Sequence, residues 1–147
     1  MIGKTQPLSP RRVLFSVGLG TSLSLLGDAS LYAVLPTHAT DAGVLLASVG
    51  VLLSVNRFIR LGSNGPVGWL CDRWPRRRLF IPALFLAAIS TTIYSLTSGF
   101  WPLLVGRLLW GIAWSGIWVS GNAVILDIAT EQNRGRFVGF YNVSFFM

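Results

Sequence analysis

Acidic, thiol and imidazole side chains are scarce in this sequence. Its 147 residues include five Asp or Glu, one His and one Cys, against twelve Lys or Arg. The single cysteine, Cys71, excludes an internal disulfide and a metal site built from several cysteines. Zinc-ligand spacings, phosphate-binding glycine loops and nucleophile elbows are absent from the sequence as well. We therefore expect no enzyme activity, no metal site and no cofactor.

Charge of either sign is sparse, whereas apolar residues are abundant. Charged residues make up 12% of the chain and apolar residues 52%, while soluble domains carry about 25% charge. The mean hydropathy is +0.62. This composition indicates an integral membrane protein that has the lipid bilayer as a partner.

A polar head, residues 1–12, precedes five apolar runs, and we expect this head to be a largely disordered tail. At about 1.5 Å per residue the first four runs are long enough to cross a bilayer, whereas the fifth has 11 residues. We expect an all-α, polytopic membrane helix bundle with four complete spans and the start of a fifth, forming the front part of a longer protein. A secretory signal peptide is the alternative for the first run. The predicted spans are 13–36, 43–70, 79–96, 103–126 and 137–147.

Nine of the twelve basic residues lie in three short stretches that flank the apolar runs. The head carries three Lys or Arg, the loop after the second run four and the loop after the fourth run two, while the other two loops carry none. This alternation is typical of charge that sets membrane orientation. We therefore expect a cytoplasmic N-terminus, a location in the plasma (inner) membrane and no nucleic-acid partner.

The loop between the second and third runs carries the densest motif of the chain. Residues 68–78 read Gly-Trp-Leu-Cys-Asp-Arg-Trp-Pro-Arg-Arg-Arg. This stretch resembles the loop between the second and third spans of the major facilitator superfamily, which has a glycine, three residues, Asp-Arg, a spacer with glycine and two basic residues. Pro75 stands where the second glycine usually lies. Because proline also forms turns, we expect the local geometry to change more than the function.

Three further stretches resemble the same family in the same order. Asp28 lies eight residues before Pro36, as in the first-span motif of the family's drug–proton antiporters, and the stretch from Arg107 to Gly111 resembles their fourth-span motif. Residues 134–139 resemble the loop before the fifth span. The resemblance covers residues 13–147. It implies the N-terminal half of a 12-helix transporter, with the missing C-terminal helices of the same chain as its partner. Such a transporter moves a small organic solute by alternating access, coupled to a proton gradient, and the antiporter-like motif at Asp28 favours export.

Asp28 and Arg107 are charges inside predicted spans, at depths that differ by about 6 Å. A charge within the membrane is costly unless it is paired or hydrated, so we expect the two side chains either to pair or to face one water-filled cavity. In the functional interpretation Asp28 carries the coupling proton, and Arg107 tunes that carboxylate or contacts the solute. In the structural interpretation Asp28 is only the partner of Arg107.

Candidate solute contacts lie on the second and fourth spans. Asn56 and Arg60 are four residues apart on one helix face, and Arg57 lies near the middle of the span, where snorkelling is hardest. Three arginines against one aspartate within the spans favour an anionic solute, unless one or both of Arg57 and Arg60 close onto helix C-termini or onto the other half of the protein. Trp114 and Trp118 suit a lipophilic solute, or they pack against lipid or another helix. Four glycines spaced every five residues on the fourth span predict close helix approach.

The loop motif also predicts a conformational latch on the cytoplasmic side. Asp72 can accept hydrogen bonds from arginine or from a helix N-terminus in one conformation and lose them in the other. The resemblance implies a latch made by Gly68, Asp72, Arg73, Arg76 and Arg77. The alternative is a charge cluster that only sets orientation.

Two other function classes remain compatible with these residues. A non-transporting membrane sensor or assembly subunit would not need a titratable Asp28, and an inactive, truncated transporter fragment would not transport at all. A membrane-embedded enzyme would need a catalytic cluster near one interface, and the sequence contains none.

Overall fold

The computed structural model describes residues 9–143, and every regular element in that range is an α-helix. This confirms the all-α expectation. Residues 1–8 of the predicted tail and residues 144–147 of the fifth run lie outside the described residues. The five helices are α1 (Pro10–Val34), α2 (Leu46–Arg73), α3 (Arg76–Leu96), α4 (Phe100–Ile128) and α5 (Arg134–Val143).

Helix α1 begins three residues before the predicted span, so residues 10–12 form its first turn rather than part of a disordered tail. Pro10 occupies the first helical position. Proline is favoured there because its fixed φ suits the helix and its missing N–H would have had no helical partner. The basic residues Arg11 and Arg12 are thus held at the end of the helix.

Three helices, α1, α3 and α4, are long and apolar enough to cross a membrane. Helix α2 is as long as α4 to within one residue, but Asn56, Arg57, Arg60 and Asn64 lower its hydropathy. The fold is therefore a partial helical membrane bundle. That α2 also crosses the bilayer stays a prediction.

The basic loop between α2 and α3 is much shorter than the motif that marks it. Helix α2 continues to Arg73 and α3 begins at Arg76, so only Trp74 and Pro75 connect them. Trp74 is extended, with φ −113° and ψ 151°, because the ring of a following proline disfavours the helical conformation. The arginines of the motif consequently lie on the last and first turns of two helices.

Helix α4 is the centre of the bundle. It contributes twelve buried residues, and every other described helix contributes at most five. Its neighbours α2 and α3 pack along its length, while α1 and α5 touch it less extensively. One apolar cluster joins Leu14, Phe80, Trp110 and Tyr141 across four helices, so the core runs between helices rather than along one pair.

The glycines of α4 allow this close packing, as their spacing predicted. A Cβ at Gly111 would lie 2.9 Å from the Asn56 carbonyl oxygen on α2, and one at Gly116 would lie 2.6 Å from the Ala83 Cβ on α3. Both distances are shorter than real Cβ contacts. The prediction of close helix approach is confirmed, and the same holds where two tyrosines of α3 and α5 pack against Gly106 and Gly121.

Large apolar side chains cover the outside of the bundle. Phe15, Leu23, Phe58 and Phe85 are each more than half exposed. An exterior of this kind is unfavourable in water and suits a lipid environment.

Candidate functional site

The charge-bearing centre of the bundle is an ion pair between α1 and α4. The Arg107 Nη1 donates to the Asp28 Oδ1, and the two side chains are 0% and 7% exposed. The residues are 79 positions apart in the chain. Of the two arrangements left open by the sequence, pairing and a shared cavity, the structure has the pair.

Arg107 is also held by α2. Its Nε donates to the Leu52 carbonyl oxygen at 3.0 Å, and its Nη2 lies 3.3 Å from the Leu53 carbonyl oxygen. The guanidinium therefore has backbone acceptors besides Asp28. An arginine can use several acceptors at once because its planar group carries five N–H donors.

Tyr32 completes the centre and was not among the residues predicted from sequence. Its hydroxyl accepts a hydrogen bond from the Arg107 Nη2 at 2.7 Å, and its ring lies under the guanidinium, 4.7 Å from Cζ to the ring centroid. Its own proton is shared between the Leu53 carbonyl at 3.0 Å and the Asn56 Oδ1 at 3.3 Å. The available signal was spacing, because Tyr32 lies one helical turn after Asp28.

Asn56 belongs to this centre rather than to an open binding surface. Its side chain is fully buried and contacts the Tyr32 hydroxyl. Its Nδ2 has no hydrogen-bond partner among residues 9–143. A buried amide donor of this kind is uncommon and is a candidate for a water or solute contact.

Arg60 lies one turn further along α2, in a recess formed with α4. Its Cζ is 5.1 Å from the Trp114 ring centroid, within the range of a cation–π contact. The recess has a volume of about 340 Å³ and is lined by Arg60, Asn64, Trp114 and Trp118. The buried Nε of Arg60 has no hydrogen-bond partner in the part of the chain that the structure describes. A cation, an amide and two indoles thus meet at one surface.

The tryptophans of α4 form a stack that leads from the ion pair to this recess. Trp110 and Trp114 have ring centroids 6.2 Å apart, and Trp114 and Trp118 are 6.1 Å apart, with interplanar angles of 30° and 26°. Trp110 is fully buried and packs in the core, whereas Trp118 is 39% exposed. Trp110, at the inner end of the stack, therefore packs in the core, whereas Trp118, at the outer end, lines the recess.

Arg57 is separated from the other predicted solute contacts. It is exposed and lines a different recess with Ser54, Phe58 and Leu61, all on α2. Three residues along a helix correspond to a rotation of about 300°. The Arg57 side chain therefore projects from α2 in a different direction from Arg60 and lies in a recess that Trp114 and Trp118 do not line. The structure therefore places Arg60, and not Arg57, beside the aromatic wall.

The predicted latch residues lie at the end of the bundle where α2 ends and α3 begins. Arg76 pairs with Asp127 near the end of α4, with 3.3 Å between Nε and Oδ2. The Arg73 guanidinium lies 3.7 Å from the Trp69 ring centroid. Asp127 had not been predicted, since nothing in its local sequence distinguishes it from a solvated loop charge.

Two latch residues have little contact with the rest of the described chain. Asp72 is exposed and belongs to neither ion pair found within residues 9–143. A Cβ added at Gly68 would meet nothing within 4 Å. Packing among the described helices therefore does not explain why a glycine stands there. Arg77 is exposed and lines a groove between α1 and α3.

Across residues 9–143 no three His, Cys, Asp or Glu side chains approach one another closely enough to hold a metal ion.

Together these features define a polytopic helical membrane protein with a buried ion pair between its first and fourth helices. The chain belongs to the Major Facilitator Superfamily, whose family model matches residues 17–147. This confirms the resemblance carried by the four motifs. No solved structure matches the chain at a significant level.

Three relatives illustrate what the chain is similar to. The inner membrane transport protein YajR of Escherichia coli is 29% identical over 136 residues, which is 92% of this chain and 30% of that protein. The class C tetracycline resistance protein of Escherichia coli is 30% identical, over 86% of this chain and 33% of that protein. A probable 4-methylmuconolactone transporter of Cupriavidus pinatubonensis is 27% identical, over 76% and 26% respectively. The chain thus spans about a third or less of the length of these relatives.

Proposed function

We propose that this chain forms the proton-coupling part of a secondary transporter that moves a small organic solute across the membrane. The observation that carries the proposal is the buried ion pair of Asp28 with Arg107, placed between two helices that can each cross a membrane. An ionisable side chain within a membrane is by default a candidate functional site, because placing a charge in the bilayer costs free energy. The family supports transport as the general activity.

The geometry supports Asp28 as the group that takes up and releases the proton. When Asp28 is protonated it loses the ionic attraction to Arg107. The guanidinium keeps the Leu52 and Leu53 carbonyl oxygens and the Tyr32 hydroxyl as acceptors. Protonation therefore weakens the link from α1 to α4. It leaves the guanidinium with hydrogen-bond acceptors but without a counter-charge, so the protonated state favours a rearrangement that hydrates Arg107 or gives it another anion.

The recess beside Arg60 is the proposed solute contact. An arginine with an unused Nε, next to two stacked indoles, suits a solute that has both an anionic group and an apolar or aromatic body. Arg57 is assigned no direct contact with the same solute molecule, since it lines a separate recess. The class named for one relative, a methylmuconolactone, fits a small organic solute of this general kind.

Alternating access would be regulated at the end of the bundle that carries the arginines. The Arg76–Asp127 pair joins the start of α3 to the end of α4, and Gly68, Asp72, Arg73 and Arg77 lie around it. We assign this end to the cytoplasm of a cell that holds the protein in its plasma (inner) membrane, because its loops carry the basic residues. Neither an enzyme activity nor a metal is needed for this function.

Proton movement in proteoliposomes tests the proposal. With a pH-sensitive dye inside the vesicles, Asp28→Asn should abolish solute-driven proton movement, while Asp41→Asn, in an exposed loop, should leave it unchanged. Asp28→Glu should retain part of the activity. Unchanged proton movement in Asp28→Asn would disprove the proton-carrier role. The absence of solute-driven proton movement in the unsubstituted protein would instead favour the non-transporting sensor or assembly subunit.

The solute contact is tested by the two arginines of α2. Arg60→Gln should raise the KM for an anionic solute by about tenfold or more, because a charge-assisted hydrogen bond is lost. Arg57→Gln is the matched control, with the same charge change on the same helix, and should change KM by less than about twofold. Equal effects of the two variants would mean that the arginines act only through net charge.

A further inference from the structure

A groove between α1 and α3 lies at the arginine-rich end of the bundle, apart from the recess beside Arg60. It has a volume of about 550 Å³. Two guanidinium side chains, those of Arg12 and Arg77, stand on its two sides, and both are exposed. Most of the remaining lining is apolar, from Val13, Val17, Phe80, Ile81, Leu84 and Val124.

The two arginines of the groove are not neutralised by acidic side chains of the described chain. The ion pairs within residues 9–143 are Asp28 with Arg107 and Asp127 with Arg76. Arg12 and Arg77 belong to neither pair. Two cations on neighbouring helices repel each other unless an anion lies between them, so the groove is electrostatically suited to an anionic ligand.

The position of the groove identifies the kind of anion. Arg12 is on the first turn of α1, and Arg77 is the second residue of α3. Span ends lie at the level of the lipid headgroups, and the apolar residues beyond them lie at the level of the acyl chains. A basic pocket between transmembrane helices is a known type of site for anionic headgroups.

We propose that this groove binds one anionic phospholipid, with its phosphate contacting Arg12 and Arg77 and its acyl chains lying on the apolar residues of α1 and α3. The ligand joins the first helix to the third, which otherwise share only limited contacts. Ser16, which also lines the groove, supplies a hydroxyl between the headgroup and the apolar floor.

Native mass spectrometry of the detergent-purified chain, titrated with phosphatidylglycerol or phosphatidylcholine, tests the site. One phosphatidylglycerol should bind more tightly than phosphatidylcholine. In Arg12→Gln/Arg77→Gln this affinity should fall by about tenfold or more, since each basic residue near the membrane surface contributes to the attraction. The matched control is Arg11→Gln/Arg78→Gln, which removes the same charge from adjacent, exposed positions outside the groove, and it should lose less than about threefold.

A second variant separates the groove from its charge. Ser16→Trp keeps every arginine but fills the groove, and it should also lower phosphatidylglycerol affinity.

Thermal unfolding in phosphatidylcholine is the folding control, and it should be similar for all variants. If the double variant does not fold, the single variant Arg12→Gln replaces it. Equal losses in the two double variants, or binding in Ser16→Trp as strong as in the unsubstituted chain, would overturn the proposal. Competition by inorganic phosphate at equal concentration would instead indicate a site for free phosphate. None of these measurements depends on transport.

Discussion

The Arg107 Nε donates a hydrogen bond to the Leu52 carbonyl oxygen at 3.0 Å. Through this bond the guanidinium is fixed on α2, although its own helix is α4. The same group pairs with Asp28 on α1. One side chain thus connects three helices at the centre of the bundle. Removing it should therefore weaken contacts on all three helices.

We predict that Arg107→Ala lowers the free energy of unfolding by about 3–5 kcal/mol, because it leaves a buried carboxylate without its partner. The double variant Asp28→Ala/Arg107→Ala should lose less than the sum of the two single variants by about 0.5–3 kcal/mol. Denaturant unfolding in mixed micelles measures these values. Strict additivity would mean that the two side chains do not interact energetically.

Tyr32→Phe should lower the free energy of unfolding by about 1.5–3 kcal/mol, because the hydroxyl that accepts from the charged Arg107 is removed while the ring remains. The comparison is Ser30→Ala on the same helix, whose exposed hydroxyl donates a hydrogen bond to the Leu26 carbonyl oxygen. That change should stay within about 0.5 kcal/mol. A Tyr32→Phe variant as stable as Ser30→Ala would show that the hydroxyl is not needed to hold Arg107.

Gly116→Ala should destabilise the bundle by about 1–3 kcal/mol, because the added methyl group overlaps the Ala83 Cβ on α3. Gly62→Ala places the same methyl group where nothing lies within 4 Å, so it should be neutral or stabilise α2 by up to about 1 kcal/mol. Thermal unfolding distinguishes the two. Adding Ala83→Gly to Gly116→Ala should recover part of the loss, and no recovery would argue against this contact as the cause.

The Arg76–Asp127 pair should contribute little to stability. Its side chains are 30% and 57% exposed, and exposed pairs are worth at most about 1 kcal/mol. Asp127→Asn should therefore shift the unfolding midpoint slightly at low salt and not at all at high salt, where the pair is screened. A large shift that persists at high salt would show that Asp127 has another role.

Part of the candidate site was predictable because its signals are local. Asp28, Arg60 and Arg107 stand out as charges in apolar runs, and the glycines of α4 stand out by their spacing. Tyr32 is marked only by its spacing of one helical turn from Asp28, and Asp127 carries no comparable signal. A tyrosine near the end of a span and an acid in a charged loop are both ordinary. Arg57 and Arg60 were both predicted as solute contacts, and of the two it is Arg60 that contacts Trp114.

The sequence by itself determined the family, the apolar helices and the ends at which basic residues collect. These properties follow from runs of side chains and from the high cost of charge in lipid, which act on neighbours along the chain. Only the tertiary structure decided which charges pair, which arginine faces the indoles and which two arginines share the groove. Those contacts depend on how each helix is rotated about its axis and packed against its neighbours. The local sequence around Asp28 or Arg107 does not specify this packing, because the two residues are 79 positions apart.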